Sequence, residues 1–223
     1  MSGRMELSGP SFGPSAGGAP DSVVLLLHGY GADGNDLLGL APHWAGLLPN
    51  TLFASPHAPF PCEAAPFGRQ WFGFEGRDGG MLLAETRAAA AMLDAFIEAT
   101  LAARGLADEQ LALVGFSQGT MLALHVAPRR QRRIAGVVGY SGSLIAPELL
   151  RQETKSRPNI LLVHGDADPV VPHDSLAAAV AGLKAAEIPV AAETRPRLAH
   201  AIDEQGLALG GRFLAAMLRP TPG

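Results

Sequence analysis

The sequence predicts an α/β fold: a mostly parallel central sheet with helices on both faces. Three observations carry this expectation. Short apolar runs alternate with helix-forming runs along the chain. Several apolar runs lack polar alternation, as strands buried on both faces do. The residues able to do chemistry stand just past such runs, at the edge where parallel sheets gather their sites.

Taken in order, residues 1–20 are Gly-, Ser- and Pro-rich and read as an irregular arm, with a short edge strand near Glu6 to Ser8. Residues 21–223 read as a single domain. Ser22 to Leu27 is a buried strand ending in the turn His28-Gly29-Tyr30-Gly31. Asp36 or Asn35 caps a helix over Leu37 to Leu47. Thr51 to Ser55 is a second strand, followed by a long loop to about Gly80 that holds Trp71; its length predicts a cover or a wall for a pocket. Met81 to Arg104 repeats apolar residues near the helical period, and Gly105 is placed to end that helix.

Leu111-Ala-Leu-Val is the next strand. It runs into Gly115-Phe116-Ser117-Gln118-Gly119 and then a helix that ends at Pro128. Strand, tight turn with a central serine, helix is the context of a nucleophile elbow. The turn strains the serine backbone, and the positions two before and two after must be small where strand and helix meet. Gly115 and Gly119 meet that demand. Ile134 to Val138, Asn159 to Val163 and Val190 to Thr194 are further strands, Ser175 to Ala186 a helix, and Glu204 to Leu218 a closing helix.

A serine is a poor nucleophile until a base takes its proton. Of the seven histidines, only His200 lies on a loop after the last strand, downstream of both the serine and an acid, the order this arrangement uses. His28 and His164, each before a glycine at a strand end, read as turn-shaping residues. Two acids follow the strand at Asn159: Asp166 and Asp168. Asp168, fixed by Pro169 and further along the loop, is favoured as the group that orients His200; Asp166 suits a backbone-bonding turn. An oxyanion needs two N–H donors. Gln118 supplies one and the Gly-rich turn the other, with Tyr30 its natural candidate.

Composition sets bounds. The 223 residues carry a formal charge of −4 and 48% hydrophobic side chains, which suits one sizeable core and no nucleic-acid partner. The run Arg129-Arg130-Gln131-Arg132-Arg133 is too short for a basic face and reads as a solvated helix end. The single cysteine, Cys62, permits no internal disulfide and sits outside any elbow. No signal peptide and no apolar run of ~18 residues is present, so a cytoplasmic protein without a stable membrane anchor is expected. His164, Asp166, Asp168 and His173 do not follow a metal-site spacing, and no metal or cofactor is expected.

Five stretches in order, His28-Gly-Tyr-Gly31, Ser55-Pro-His-Ala-Pro59, Gly115-Phe-Ser-Gln-Gly119, Gly165-Asp-Ala-Asp-Pro-Val-Val-Pro172 and His200-Ala-Ile-Asp203, resemble the bacterial phospholipase/carboxylesterase group of α/β-hydrolases, which also contains acyl-protein thioesterases. The resemblance runs from about Val23 to Leu218. It implies an α/β-hydrolase fold and an ester hydrolase with triad Ser117, Asp168 and His200. It implies oxyanion donors at Tyr30 and Gln118 and a substrate-side tryptophan, here Trp71. Members of this group are often homodimers. Val170, beside Asp168, is a further candidate for substrate contact. The chain departs from the group in having Ala199, not glycine, before His200, and in its loop from Pro59 to Gly80.

The expected reaction is hydrolysis of a small acyl ester or thioester of short to medium chain length. Thioester cleavage from acylated proteins, or lysophospholipid cleavage, is the alternative within the same chemistry. An acyltransferase or perhydrolase would use the same residues with another acceptor. A non-catalytic binding module would need none of them.

Overall fold

The computed structural model describes residues 6–219; the first five residues of the arm and residues 220–223 lie outside the description. A seven-stranded sheet forms the centre. In chain order its strands are β1 (Ser11–Phe12), β2 (Ser22–Leu27), β3 (Thr51–Ala54), β6 (Leu111–Phe116), β7 (Gly136–Tyr140), β8 (Asn159–Gly165) and β9 (Val190–Arg195). Across the sheet the order is β1-β3-β2-β6-β7-β8-β9. Every pair is parallel except β1 with β3. This is the predicted α/β-hydrolase type of architecture. A two-stranded hairpin, β4 (Phe60–Pro61) and β5 (Arg69–Gln70), lies apart from it.

The apolar runs divide by parity. Val23, Leu25, Leu27, Leu111 and Leu113 face one side of the sheet, where helices α3 (Gly79–Ala102), α4 (Gln118–Val126), α5 (Pro147–Glu153) and α6 (Asp174–Ala185) bury them. Val24, Leu26, Ala112 and Val114 face the other side, covered by α1 (Gly34–Leu38), α2 (Ala41–Trp44) and α7 (Glu204–Met217). Strand side chains alternate in direction, so unbroken apolar strands are what two cores demand. Each fully buried Leu or Val here contributes about 1.5–3 kcal/mol of transfer free energy.

Several boundaries differ from expectation. The edge strand is Ser11–Phe12, not Glu6 to Ser8; Ser8 instead accepts from His57 N–H (2.9 Å) as the arm lies along the segment after β3. The helix expected over Leu37 to Leu47 is two short helices. Asp33, not Asp36 or Asn35, caps the first through Asn35 N–H, and Gly39 and Leu40 divide them. The Ile134 strand starts two residues later, at Gly136. Helix α5 and the β4–β5 hairpin had no clear signal: α5 spans only seven residues and each hairpin strand two. Helix α3 ends as expected near Gly105, whose φ of +65° lets Leu106 N–H return to Leu101 C=O (3.1 Å).

Candidate active site

Strand β6 delivers Ser117 at its carboxyl end, and α4 begins at the next residue. Ser117 has φ +53° and ψ −115°, a conformation that costs a non-glycine residue about 1–3 kcal/mol. Surrounding bonds hold it there. Ser117 N–H donates to Tyr140 C=O at the end of β7 (2.9 Å), and Ser117 C=O accepts from Met121 N–H in α4 (3.2 Å). The flanking glycines are steric necessities. A β-carbon on Gly119 would collide with the Leu27 carbonyl, and one on Gly115 with the backbone at Gly119 and Thr120. The elbow can therefore close only with hydrogen at both positions.

The loop after β8 carries Asp168, and the loop after β9 carries His200. The structure brings these two together: His200 Nδ1 lies 2.7 Å from Asp168 Oδ2, with the carboxylate fully buried. A carboxylate only accepts, so Nδ1 carries the proton and Nε2 is left as the basic nitrogen. Burial pushes the Asp168 carboxyl up. Hydrogen bonds from His200, Val171 N–H (2.9 Å) and Val170 N–H (2.8 Å) outweigh it and hold the group below the usual carboxylate range.

The imidazole of His200 packs on the ring of Phe116, the residue before Ser117, at a centroid distance of 4.8 Å. Among the described residues no hydrogen bond joins Ser117 to His200. Catalytic hydrogen bonds are often long in unliganded enzymes and tighten when substrate binds. Asp166 takes the backbone role: its Oδ1 accepts from Arg197 N–H (2.5 Å), tying the loop after β8 to the one that leads to His200. Ala199 is not among the residues with positive φ, so its methyl group meets no backbone penalty.

The turn after β2 lies against the elbow. A β-carbon on Gly29 would sit 3.4 Å from Ser117 Cβ. His28, fully buried, governs this turn. Ala58 N–H donates to its Nε2 (3.0 Å), so the ring proton is on Nδ1, which donates to Gly29 C=O (2.8 Å). Burial keeps this imidazole neutral by lowering its pKa, and the bond to Gly29 only partly opposes that. In a trans peptide the carbonyl and the N–H point in opposite directions. Fixing Gly29 C=O toward His28 therefore turns Tyr30 N–H away from it, and that N–H has no backbone acceptor among the described residues. Gln118 N–H, at the first position of α4, has no intrahelical acceptor either. The Tyr30 phenol, pushed up to about 12 by burial and by Cys62 beside it, is a neutral packing group.

Trp71, the tryptophan that the resemblance placed beside the substrate, lies against the turn after β2. It is fully buried, its Nε1–H donates to His28 C=O (3.0 Å), and its ring lies on His28. The Gln118 side chain clamps the same segment: Oε1 accepts from Trp71 N–H (2.8 Å) and Nε2 donates to Phe72 C=O (2.7 Å). The indole needs both a partner for its N–H and an apolar bed, and both lie beneath the turn. The exposed aromatic edge next to Tyr30 belongs instead to Phe74, 39% accessible, at 5.3 Å between rings. Val170 is 63% accessible on the Asp168 loop. Two contacts around the elbow carried no separate signal in the sequence: Phe116 under the His200 ring and the Gln118 side chain on the Trp71 segment. Both residues flank Ser117 directly.

Comparisons with known proteins come to the same architecture. A family model described as phospholipase/carboxylesterase matches residues 14–218. The chain is 29% identical over 191 residues to the esterase YpfH of Escherichia coli, covering 83% of this chain and 78% of that protein. It is 28% identical over 171 residues to an acyl-protein thioesterase 1 of Schizosaccharomyces pombe, covering 69% and 71%. Among solved structures, that of esterase PE8 superposes with a TM-score of 0.90 at 39% identity, over 96% of this chain and 100% of that one. No helix among the described residues is long and apolar enough to cross a membrane.

Proposed function

The chain belongs to the phospholipase/carboxylesterase family of α/β-hydrolases and is a carboxylic ester hydrolase, and from that premise we propose that it cleaves short- to medium-chain acyl esters or thioesters through Ser117, His200 and Asp168. The observation that carries the reading is the 2.7 Å contact of His200 Nδ1 with a fully buried carboxylate, its ring packed on Phe116, the residue before a serine on a strained elbow. Nε2 of His200 takes the Ser117 proton as the oxygen attacks the carbonyl carbon. Asp168 stays ionised, fixes the tautomer and stabilises the imidazolium. The oxyanion rests on the N–H groups of Tyr30 and Gln118, each worth about 2.7–4 kcal/mol in the transition state. The imidazolium then protonates the leaving alcohol or thiol. Water, deprotonated by the same Nε2, releases the acid and restores the serine.

Phe74 and Val170 are the candidates for acyl contact, and Trp71 supports the turn from beneath. Short and medium acyl chains fit a loop from Pro59 to Gly80 that offers no long apolar cover. The proposal includes a cytoplasmic location, in keeping with a lone buried cysteine at Cys62. Two measurements test the reading. A fluorophosphonate probe should label the wild type and not Ser117→Ala, and Ser117→Ala should lose at least ~10³-fold in kcat on a nitrophenyl ester. Hydrolysis undiminished in the variant would remove Ser117 from the mechanism and leave the binding-module reading in its place.

A further inference from the structure

We infer that His164 is a positioning residue for this reaction: a second imidazole that shares the Asp168 carboxylate with His200 and limits how strongly that carboxylate holds the His200 imidazolium. The inference rests on the triad proposed above. His164 is the penultimate residue of β8, four residues before Asp168, and its side chain is almost wholly buried. Its Nε2 lies 2.9 Å from Val171 C=O, which can only accept, so the ring proton is on Nε2. The same nitrogen lies 3.3 Å from Asp168 Oδ2, the oxygen that His200 Nδ1 approaches to 2.7 Å, with its N–H directed at Val171 C=O. One carboxylate oxygen thus bonds His200 and has the His164 ring nitrogen beside it, while the other accepts from Val170 and Val171.

An N–H dipole beside Oδ2, inside a buried site, draws on the negative charge that would otherwise stabilise a proton on His200. His164 also bonds Val171 C=O, which ties the loop that carries Asp168 to the end of β8. The other titratable or charged groups around it are few. His173, at the start of α6, meets it edge-on at 5.9 Å and turns its own Nε2 to Thr194 Oγ1 on β9 (3.0 Å). Thr194 is the register partner of His164, so Glu193 and Arg195 project from the opposite face of β9. Strand β7, on the other side, presents Tyr140 opposite Val163 and no charged group in its register with β8.

The test is the pH dependence of kcat/KM for nitrophenyl butyrate, from about pH 5 to about pH 9, with the full chain as wild type, His164→Leu and His164→Gln. Leucine removes the N–H and keeps an apolar filling. Its acid limb should move to higher pH by about half a unit to one unit, because the Asp168 charge is then left to His200 alone. Glutamine returns an N–H to the neighbourhood of Oδ2, and its acid limb should return to the wild-type position. If the leucine variant does not fold, His164→Asn replaces it with the same expected shift, since its amide is too short to reach the carboxylate. A residue that only supports the fold would lower the plateau and leave the limb in place. An unmoved limb, a shift to lower pH, or equal shifts in the leucine and glutamine variants would overturn the inference. Ser117→Ala and His200→Ala, run alongside, separate the two levels. Retained activity in either sinks the triad itself, whereas loss in both with an unmoved limb sinks only the role of His164.

Discussion

At Ser117 the backbone holds a strained local conformation where the strand gives way to the helix. Neighbouring residues make that strain tolerable. The carbonyl of Leu27 passes so close to Gly119 that even a methyl group displaces β2. Gly119→Ala is therefore expected to cost more than about 3 kcal/mol, or to yield no soluble protein, and urea denaturation reads the loss. His28 acts one bond further out, by setting the direction of the Gly29–Tyr30 peptide. His28→Phe keeps a planar ring, somewhat larger, and loses both hydrogen bonds. If Tyr30 N–H serves the oxyanion, kcat should fall by about 10²-fold with KM nearly constant. A change confined to KM would mean that this turn binds substrate without stabilising the transition state.

Elements are held by caps and buried charges placed away from the chemistry. Asp78 caps α3, accepting from Met81 N–H (2.8 Å). Asp78→Ala should lower stability by about 1 kcal/mol while the specific activity of the folded protein stays at the wild-type value, measured by denaturation and nitrophenyl ester hydrolysis in parallel. Arg130 matters more. Its guanidinium is buried against Asp108, itself 5% accessible, and also pairs with Asp94 and Glu98. Part of the run that looked like a solvated helix end is thus an internal ion pair that docks α3 onto the segment entering β6. Arg130→Met leaves Asp108 buried without its main partner and should cost about 3–5 kcal/mol. A loss under about 1 kcal/mol would show that water reaches the pair. Helix α7 begins at Asp203, which accepts from Gly206 N–H (2.7 Å) and from Arg195 Nε (3.1 Å), so the last strand and last helix frame the loop that presents His200.

For the molecule as a whole, stability is tied to acidity through groups buried in their less protonated form. Burial, aided by the charge of Arg129, lowers the His125 pKa to about 4, and burial lowers that of His28. Below about pH 6.5 the unfolded chain protonates these rings while the folded chain resists. The unfolded state then binds more protons, so stability falls as acid is added, down to about pH 4. Below that value the carboxylates join. Burial pushes Glu153 up, but Arg129 and Arg87 pull it below its ordinary range; Asp168, also pushed up by burial, is held down by its hydrogen bonds, and the stability both contribute is full above the unfolded carboxylate pKa and is lost as pH falls toward their lowered folded values. The Tm should decline from about pH 6.5 downward and more steeply below about pH 4, and His125→Gln should flatten the upper part of that decline. A Tm unchanged between neutral pH and about pH 5 would mean that these rings protonate in place.

The sequence by itself determined the parallel sheet, because a strand with two buried faces must be apolar at every position. It also determined the elbow, because the turn's crowding leaves glycine alone at residues 115 and 119. The pairing of Asp168 with His200 was legible from chain order, since successive parallel strands carry their trailing loops to one edge. Tertiary structure alone decided the rest. That the Trp71 indole is buried under the turn with its N–H on His28 C=O, and that the His164 ring lies beside Asp168, could be seen only once the loops were in place. Where a buried side chain points depends on which loops meet there, often across more than 30 residues, and local composition and periodicity carry no record of that meeting.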